Sequence, residues 1–383
     1  MRFEKKEEAL TLFFVGEINS NTSEDVAKDV EDTLAGQSFD KLIFDFLDVK
    51  YLSSAGLRII LRFKQKYNNL EIINVSMDVY DVFQMTGFTS IINVSRALAK
   101  IEVTKDQIIG EGYTSTVYRI NKDTIIKVFE HAHDTSDIER EMALAKEAFI
   151  LGIPTAITFD IVQVGEKYGA RFEMLDFVSL RDAFRDNEDR FEDLCQQYAT
   201  LLKTINTTKT ENPNLPSAKQ TFLKKLELVG TLLDKENLKK LTDLAEKIPE
   251  AHTFVHGDCH VKNILCQGNE LFLIDMDTLS VGNPIFELAG TYATYVAFEE
   301  TAPGNSEEFL GLRNDLVQKM FRRVLDIYFG GKIKDEDYLK IQTASYAHMV
   351  WWGLYYDPEN KKRINHCLER LKECLKEVKE LAL

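Results

Sequence analysis

The sequence predicts an α+β protein of two domains, a small mixed sheet packed against helices followed by a larger bilobal unit, and three observations carry that reading. The chain has 383 residues, long for one compact domain when about 150 residues is the usual size. Its character changes near residue 100. Beyond that point a short strand-rich stretch gives way to a mainly helical one, with a polar cluster on a loop between strands, the order expected of two lobes with a cleft between them. With 44% hydrophobic residues, 28% charged and only 7 Pro, neither disorder nor a fibrous repeat is expected.

In the first hundred residues the runs TLFFV, KLIFDF, EIINV and IINV alternate with helical periods, the pattern of strands crossed by helices. Ser23, Glu24 and Asp25 mark a helix start, Val26, Val30 and Leu34 its apolar face, and Gly36 its end. A second helix is expected from about Ala55 to Tyr67, with Leu57, Ile60 and Leu61 inward, and a third over about Val79 to Met85. The first domain is placed at residues 1–98 and a mixed-polarity connector at 99–105. The remainder, 106–383, divides into a lobe of about 106–176, with TVYRI, TIIKVF and ARFEML as strands, and a helical lobe of about 177–383.

Charge and cysteines narrow the function classes. Lys+Arg number 47 and Asp+Glu 62, a net charge of -15, and no basic run occurs. Nucleic acid and a polybasic membrane anchor are therefore not expected as partners. The start, MRFEKKEEAL, lacks a signal-peptide core, and no run of about 18 apolar residues is found. The expected location is cytoplasmic. The 5 cysteines (Cys195, Cys259, Cys266, Cys367 and Cys374) form no CxxC pair and read as reduced thiols, not as disulfides or a zinc site.

The most specific string is HGDCHVKN, residues 256–263, followed by ILC and LFLIDMD. Asp258 can accept or orient the proton of an attacking hydroxyl, Asn263 offers a neutral oxygen to a hard cation, and Asp275, at the end of an apolar strand, offers a charged one. His256 is expected to hold the loop by hydrogen bonds. Upstream, Gly110 and Gly112 in IIGEGYTSTVYRI permit a tight hairpin whose backbone N–H groups can face phosphate. Lys127 in TIIKVF and Glu141 in IEREMALAKEAF add a strand lysine and a helical acid, the pair that holds a cation against phosphates.

With these residues in that order, residues 102 to about 300 resemble the aminoglycoside phosphotransferase and choline kinase family, a branch of the protein-kinase-like fold. The resemblance implies ATP, one or two magnesium ions (Mg2+) and phosphoryl transfer to a hydroxyl-bearing acceptor, with Lys127, Glu141, Asp258, Asn263 and Asp275 in the matching roles. Glu173 in FEML resembles the hinge whose backbone holds adenine. The chain departs from the family's pattern twice: the glycine loop lacks a third Gly and reads Thr114, Ser115 and Thr116, and Glu287 in PIFELA stands where Asp is usual. For the acceptor, Trp351, Trp352, Tyr355 and Tyr356 in SYAHMVWWGLYY could cage an ammonium group or simply pack in the core. The acid excess suits a cationic acceptor without requiring one.

Ser54, in FDFLDVKYLSSAGLRIIL, falls at the expected start of the second helix. There it is either an N-cap or a place where a phosphate would meet free backbone N–H groups. The string LSSAGLR and the order of elements over residues 8–95 resemble the STAS, or anti-sigma-factor antagonist, domain, with Ser53 where many members have Asp. That resemblance implies an interaction module toggled by phosphorylation of Ser54, with an anti-sigma-factor-type kinase and a phosphatase as partners. The expected whole is an ATP- and magnesium-dependent phosphotransferase for a small hydroxyl compound, fused to this module. The alternatives are a nucleotide-binding signalling scaffold without turnover, or a kinase whose acceptor is a protein serine such as Ser54.

Overall fold

The computed structural model describes every residue except Tyr113, Thr114, His133, Asp176 and Asn214. The chain divides into two units, Met1–Glu102 and Val103–Leu383. In the first, β1 (Arg2–Lys6), β2 (Ala9–Ile18), β3 (Lys41–Leu52), β4 (Leu70–Val75) and β5 (Asn93–Arg96) form one sheet in sequence order. β1 and β2 are antiparallel, and the remaining pairs are parallel. Parallel neighbours need a crossover, and α1 (Ser23–Leu34), α2 (Ser54–Lys66) and α3 (Met77–Met85) supply the three that are required.

Alternation along β3 buries Leu42, Phe44 and Phe46. Phe44 and Phe46 meet Phe14, Phe63 and Phe83 with ring centroids 4.7 to 6.1 Å apart, and each such fully buried ring stabilises the fold by about 1.5–3 kcal/mol. The expected face of α1 is buried at Val30 and Leu34, and Gly36 follows its end with φ 77. α2 starts at Ser54, one residue before the expected start, and turns Ile59 inward while Leu61 is only half-buried. Its approach to the sheet depends on Gly56, where a Cβ would lie 2.6 Å from Leu52 Cδ1 and 2.9 Å from the Ile18 carbonyl oxygen.

In the second unit the strand Thr124–Phe129 pairs antiparallel with Ser115–Arg119 on one side and Lys167–Glu173 on the other. Ile108–Glu111 and Thr158–Val164 continue the sheet outward. The helix Ser136–Ile150 buries Ile138, Leu144, Ala145 and Ala148 and, on the same side, the carboxylate-bearing Glu141. The helical lobe packs Phe191–Thr207, Ala218–Val229, Asn314–Tyr328, Asp335–Tyr356 and Lys361–Glu377 around buried Tyr198, Tyr295, Phe321 and Tyr346. Between these helices in sequence lies an antiparallel hairpin, Ile264–Gln267 with Glu270–Leu273.

Two π-helical turns, Ala293–Ala297 and Ser306–Leu310, have no counterpart in the sequence expectations. Such turns collect at functional sites. Among the described residues no helix is long and apolar enough to cross a membrane.

Candidate active site

A cavity of about 850 Å³ opens in the second unit. Lys127 reaches it because its strand is central in the sheet, and its ammonium lies 2.8 Å from Glu141 Oε1 and 2.9 Å from Asp275 Oδ1. Burial works against the charge on Lys127, but Asp275 and Glu141 more than restore it and hold its pKa above the ordinary lysine value. Asp275 follows the hairpin with φ 66, a left-handed conformation that few non-glycine residues adopt.

Asp258 stands on the loop before the hairpin. Asn263 Nδ2 donates to its Oδ2 at 2.9 Å and to its backbone carbonyl at 3.0 Å, which fixes the carboxylate. Burial, and then the negative charge of Asp275, push its pKa up to about 7. The loop is held from below by groups that take no part in the cavity. His256 N–H donates to Glu287 Oε2 at 2.5 Å and Gly257 N–H to Glu287 Oε1 at 3.3 Å. Glu287 is fully buried, and burial raises its pKa to about 7. Its carboxylate thus ties the backbone of the loop to the helix Ile285–Tyr292.

Asp258 N–H donates to His256 Nδ1 at 3.3 Å, Tyr198 donates its hydroxyl to the Cys259 carbonyl at 2.6 Å, and Tyr295 accepts from Val261 N–H at 2.9 Å. His256 is thus a loop-holding residue, with burial lowering its pKa to about 4. Gly257 has φ 86, and a Cβ there would meet the Thr278 carbonyl at 3.2 Å, so the turn requires glycine. Among the described residues Cys259 and His260 belong to no metal-binding group.

Gly110, Gly112 and Glu173 also line the cavity. Neither glycine has positive φ; Gly112 N–H donates to the Ser115 carbonyl at 2.8 Å and closes the hairpin. Thr114, expected in this loop, lies outside the described residues. Thr116 is turned to Glu130, at 3.2 Å. The Glu173 N–H donates to the Ile157 carbonyl at 2.9 Å, and Glu173 Oε1 accepts from Ile157 N–H at 2.8 Å. The N–H and the carboxylate of Glu173 are thus both engaged with Ile157.

Eight expected residues from six separate stretches of the chain thus converge: Gly110, Gly112, Lys127, Glu141, Glu173, Asp258, Asn263 and Asp275. Trp351, Trp352 and Tyr355 do not join them. Trp351 stacks on Tyr355 at 5.5 Å and 17°, with the Lys225 ammonium 4.1 Å from its ring centroid, and Trp352 meets Phe298 edge-on at 4.9 Å with Arg363 at 5.2 Å. The rings already hold the chain's own cations. In their place the structure puts Phe309, Lys262 and Arg181 at the cavity; no spacing in the sequence singled them out.

In the first unit Ser53, not Ser54, caps α2: its Oγ accepts from Ala55 N–H at 3.2 Å and Gly56 N–H at 3.4 Å. Ser54 is exposed.

A lysine and an acid paired across a sheet and a helix, facing a loop Asp, an Asn and a second Asp, define the cleft of a kinase-like phosphotransferase. Residues 106–311 match the family model for the phosphotransferase enzyme family (APH), and residues 1–101 match the STAS domain. The first match covers more than half of the chain, which belongs to the phosphotransferase enzyme family and carries a STAS domain ahead of it.

Among solved structures the chain is similar to aminoglycoside phosphotransferase APH(2'')-Ib with ADP bound (16% identity, TM-score 0.49, 70% of this chain and 93% of that one). It is also similar to a thermostable mutant of aminoglycoside phosphotransferase APH(4)-Ia in its apo form (13%, 0.48, 70% and 93%). A third is a choline/ethanolamine kinase family protein from Mesorhizobium loti (14%, 0.46, 71% and 88%).

Proposed function

We propose that the protein transfers the γ-phosphoryl group of ATP to a hydroxyl of a small acceptor, with Asp258 at the acceptor, Lys127 at the phosphates and Asn263 and Asp275 at magnesium. The convergence of Lys127, Glu141, Asp258, Asn263 and Asp275 on one cavity carries this reading. The donor set fits the cation: Asp275 Oδ2 and Asn263 Oδ1 accept no hydrogen bond among the described residues, and oxygen donors of this kind suit magnesium. When bound, that ion supplies positive charge that offsets the phosphates.

The chain's own residues do the rest. Lys127, kept protonated by its two acids, is placed to hold phosphate oxygens. Asp258 takes the acceptor's hydroxyl proton on its carboxylate as the new oxygen–phosphorus bond forms and the bond to the β-phosphate oxygen breaks. Asn263 keeps that carboxylate aimed. The test is a screen of hydroxyl compounds with labelled ATP and magnesium, alongside calorimetry; a chain that binds no magnesium nucleotide, or binds it and never releases ADP with any acceptor, contradicts the reading.

The first unit is read as a switch. Because Ser53 does the capping, the Ser54 hydroxyl is free to take a phosphate at the start of α2, where it adds about -1.5 to -2 charges without removing a structural contact. An anti-sigma-factor-type kinase and phosphatase would be the partners that write and erase it. The same exposure keeps open transfer to Ser54 by this protein's own kinase-like unit. Phosphorylated protein compared with Ser54→Ala tests the regulation: equal turnover and equal nucleotide affinity in the two forms would exclude control of the enzyme by this serine.

A further inference from the structure

The cavity wall beyond Asp258 has a composition of its own. Lys262 projects from the same loop, and its ammonium lies 4.5 Å from the centroid of the Phe309 ring. Phe309, still 44% exposed, meets His260 edge-on at 5.4 Å and 89°. The ring is held in place, because it rides on the π-turn Ser306–Leu310 and Glu299 anchors the approach to that turn by accepting from Gly304 N–H at 2.8 Å and Ser306 N–H at 2.7 Å. Arg181 completes the wall, its backbone N–H donating to the Val261 carbonyl at 3.1 Å and its guanidinium paired with Asp182.

Four of the five acids that line the cavity have a partner already. Glu141 and Asp275 hold Lys127, Glu173 holds Ile157 N–H, and Asp258 is tied to Asn263. Glu111 lies on the facing strand Ile108–Glu111. A cationic acceptor entering beside Asp258 would thus find an ammonium and an arginine, and among the described residues that line the wall no carboxylate besides Asp258 itself. Lys262, in contrast, has no carboxylate within ion-pair distance among the described residues. A cation over an aromatic face with one side open to a cleft is a ready partner for an anion.

We infer that the acceptor carries an anionic group, a carboxylate or a phosphate, which pairs with Lys262 above the Phe309 ring and so brings a neighbouring hydroxyl to Asp258. This reverses the cationic acceptor that the overall charge suggested. It rests on the phosphotransferase reading and deepens it. The aromatic cluster at Trp351, with its own lysine in place, is left as packing.

The experiment uses the full chain saturated with magnesium ADP, titrated calorimetrically with glycerate (the carboxylate arm), glycerol 3-phosphate (the phosphate arm), and choline and ethanolamine (the cationic arm). Glycerate or glycerol 3-phosphate should bind, and Lys262→Gln should weaken that binding at least tenfold while magnesium ADP affinity stays as in the native chain. Which of the two binds tells carboxylate from phosphate. Preference for choline or ethanolamine, failure of both anions to bind, equal anion affinity in Lys262→Gln, or a loss of ADP affinity in that variant would each overturn the inference. Failure of magnesium ADP to bind the native chain is a different result: it removes the phosphotransferase reading, and this inference with it.

Discussion

The Lys127 ammonium lies 2.9 Å from Asp275 Oδ1, a contact between residues 148 apart in the sequence, and Glu141 Oε1 holds the same nitrogen at 2.8 Å. One cation is thus shared by two carboxylates, and an incoming phosphate must be accommodated within an existing ionic triangle. Glu141 is the member that only positions. Glu141→Gln keeps shape and removes charge, so the lysine should lean further toward Asp275. Nucleotide affinity should fall by about 10- to 150-fold, in line with about 1.5–3 kcal/mol for a hydrogen bond to a charged group. Calorimetry with magnesium ATP reads it; unchanged affinity would mean that Glu141 serves the fold alone.

Asp258 and Asp275 should fail in different ways. Asp275→Ala should weaken magnesium nucleotide binding, while Asp258→Asn should leave binding largely intact and lower turnover by two or more orders of magnitude, the usual scale of proton-transfer catalysis at about 10²–10⁴. Binding and single-turnover measurements on the two variants separate the roles. Unaltered magnesium dependence in Asp275→Ala would remove that residue from the metal site.

The pH dependence follows from the same pair. Burial and Asp275 raise Asp258 to about 7; below that pH its carboxylate is protonated and cannot take a hydroxyl proton. In profiles against pH, kcat/KM should therefore fall on the acid side with a limb near 7. The kcat limb should lie lower, because a cation at Asp275 cancels the charge that helps raise Asp258. Coincident limbs near 4 would show that Asp258 titrates as an ordinary aspartate.

At the start of α2 two adjacent serines divide the work. Ser53→Ala removes a cap whose Oγ accepts two backbone N–H groups and should cost about 1 kcal/mol of stability in the first unit. Ser54→Ala should change stability by less than about 0.5 kcal/mol, as exposed substitutions do. Urea unfolding of both variants checks the order, and a larger loss at Ser54 would reassign the cap.

Much of the candidate site was legible because the proposed phosphoryl transfer needs hard, charged groups in a near-fixed order: Lys127, Glu141, Asp258, Asn263 and Asp275, which line one cavity, announce themselves by type and spacing. Elsewhere the signal was too coarse. A one-residue error at the start of α2 exchanged the duties of Ser53 and Ser54, since periodicity places a helix end only to within a turn while capping depends on the dihedrals of a single residue. The helix Asp335–Tyr356 buries residues around most of its circumference, so the pattern did not tell which way Trp351 and Trp352 turn. Phe309 stayed hidden because a π-turn shifts the register of every following side chain and leaves no mark in composition.

The left-handed backbone at Asp275 sets folding and chemistry against each other at one position. Such a conformation costs a non-glycine residue up to about 1–3 kcal/mol, less for aspartate and asparagine than for most, and glycine escapes the penalty. A library of this protein selected for heat resistance alone should therefore enrich glycine at position 275, and those winners should be inactive. Anyone seeking a tougher enzyme must screen for turnover at the same time, or the selection will discard a carboxylate of the candidate site.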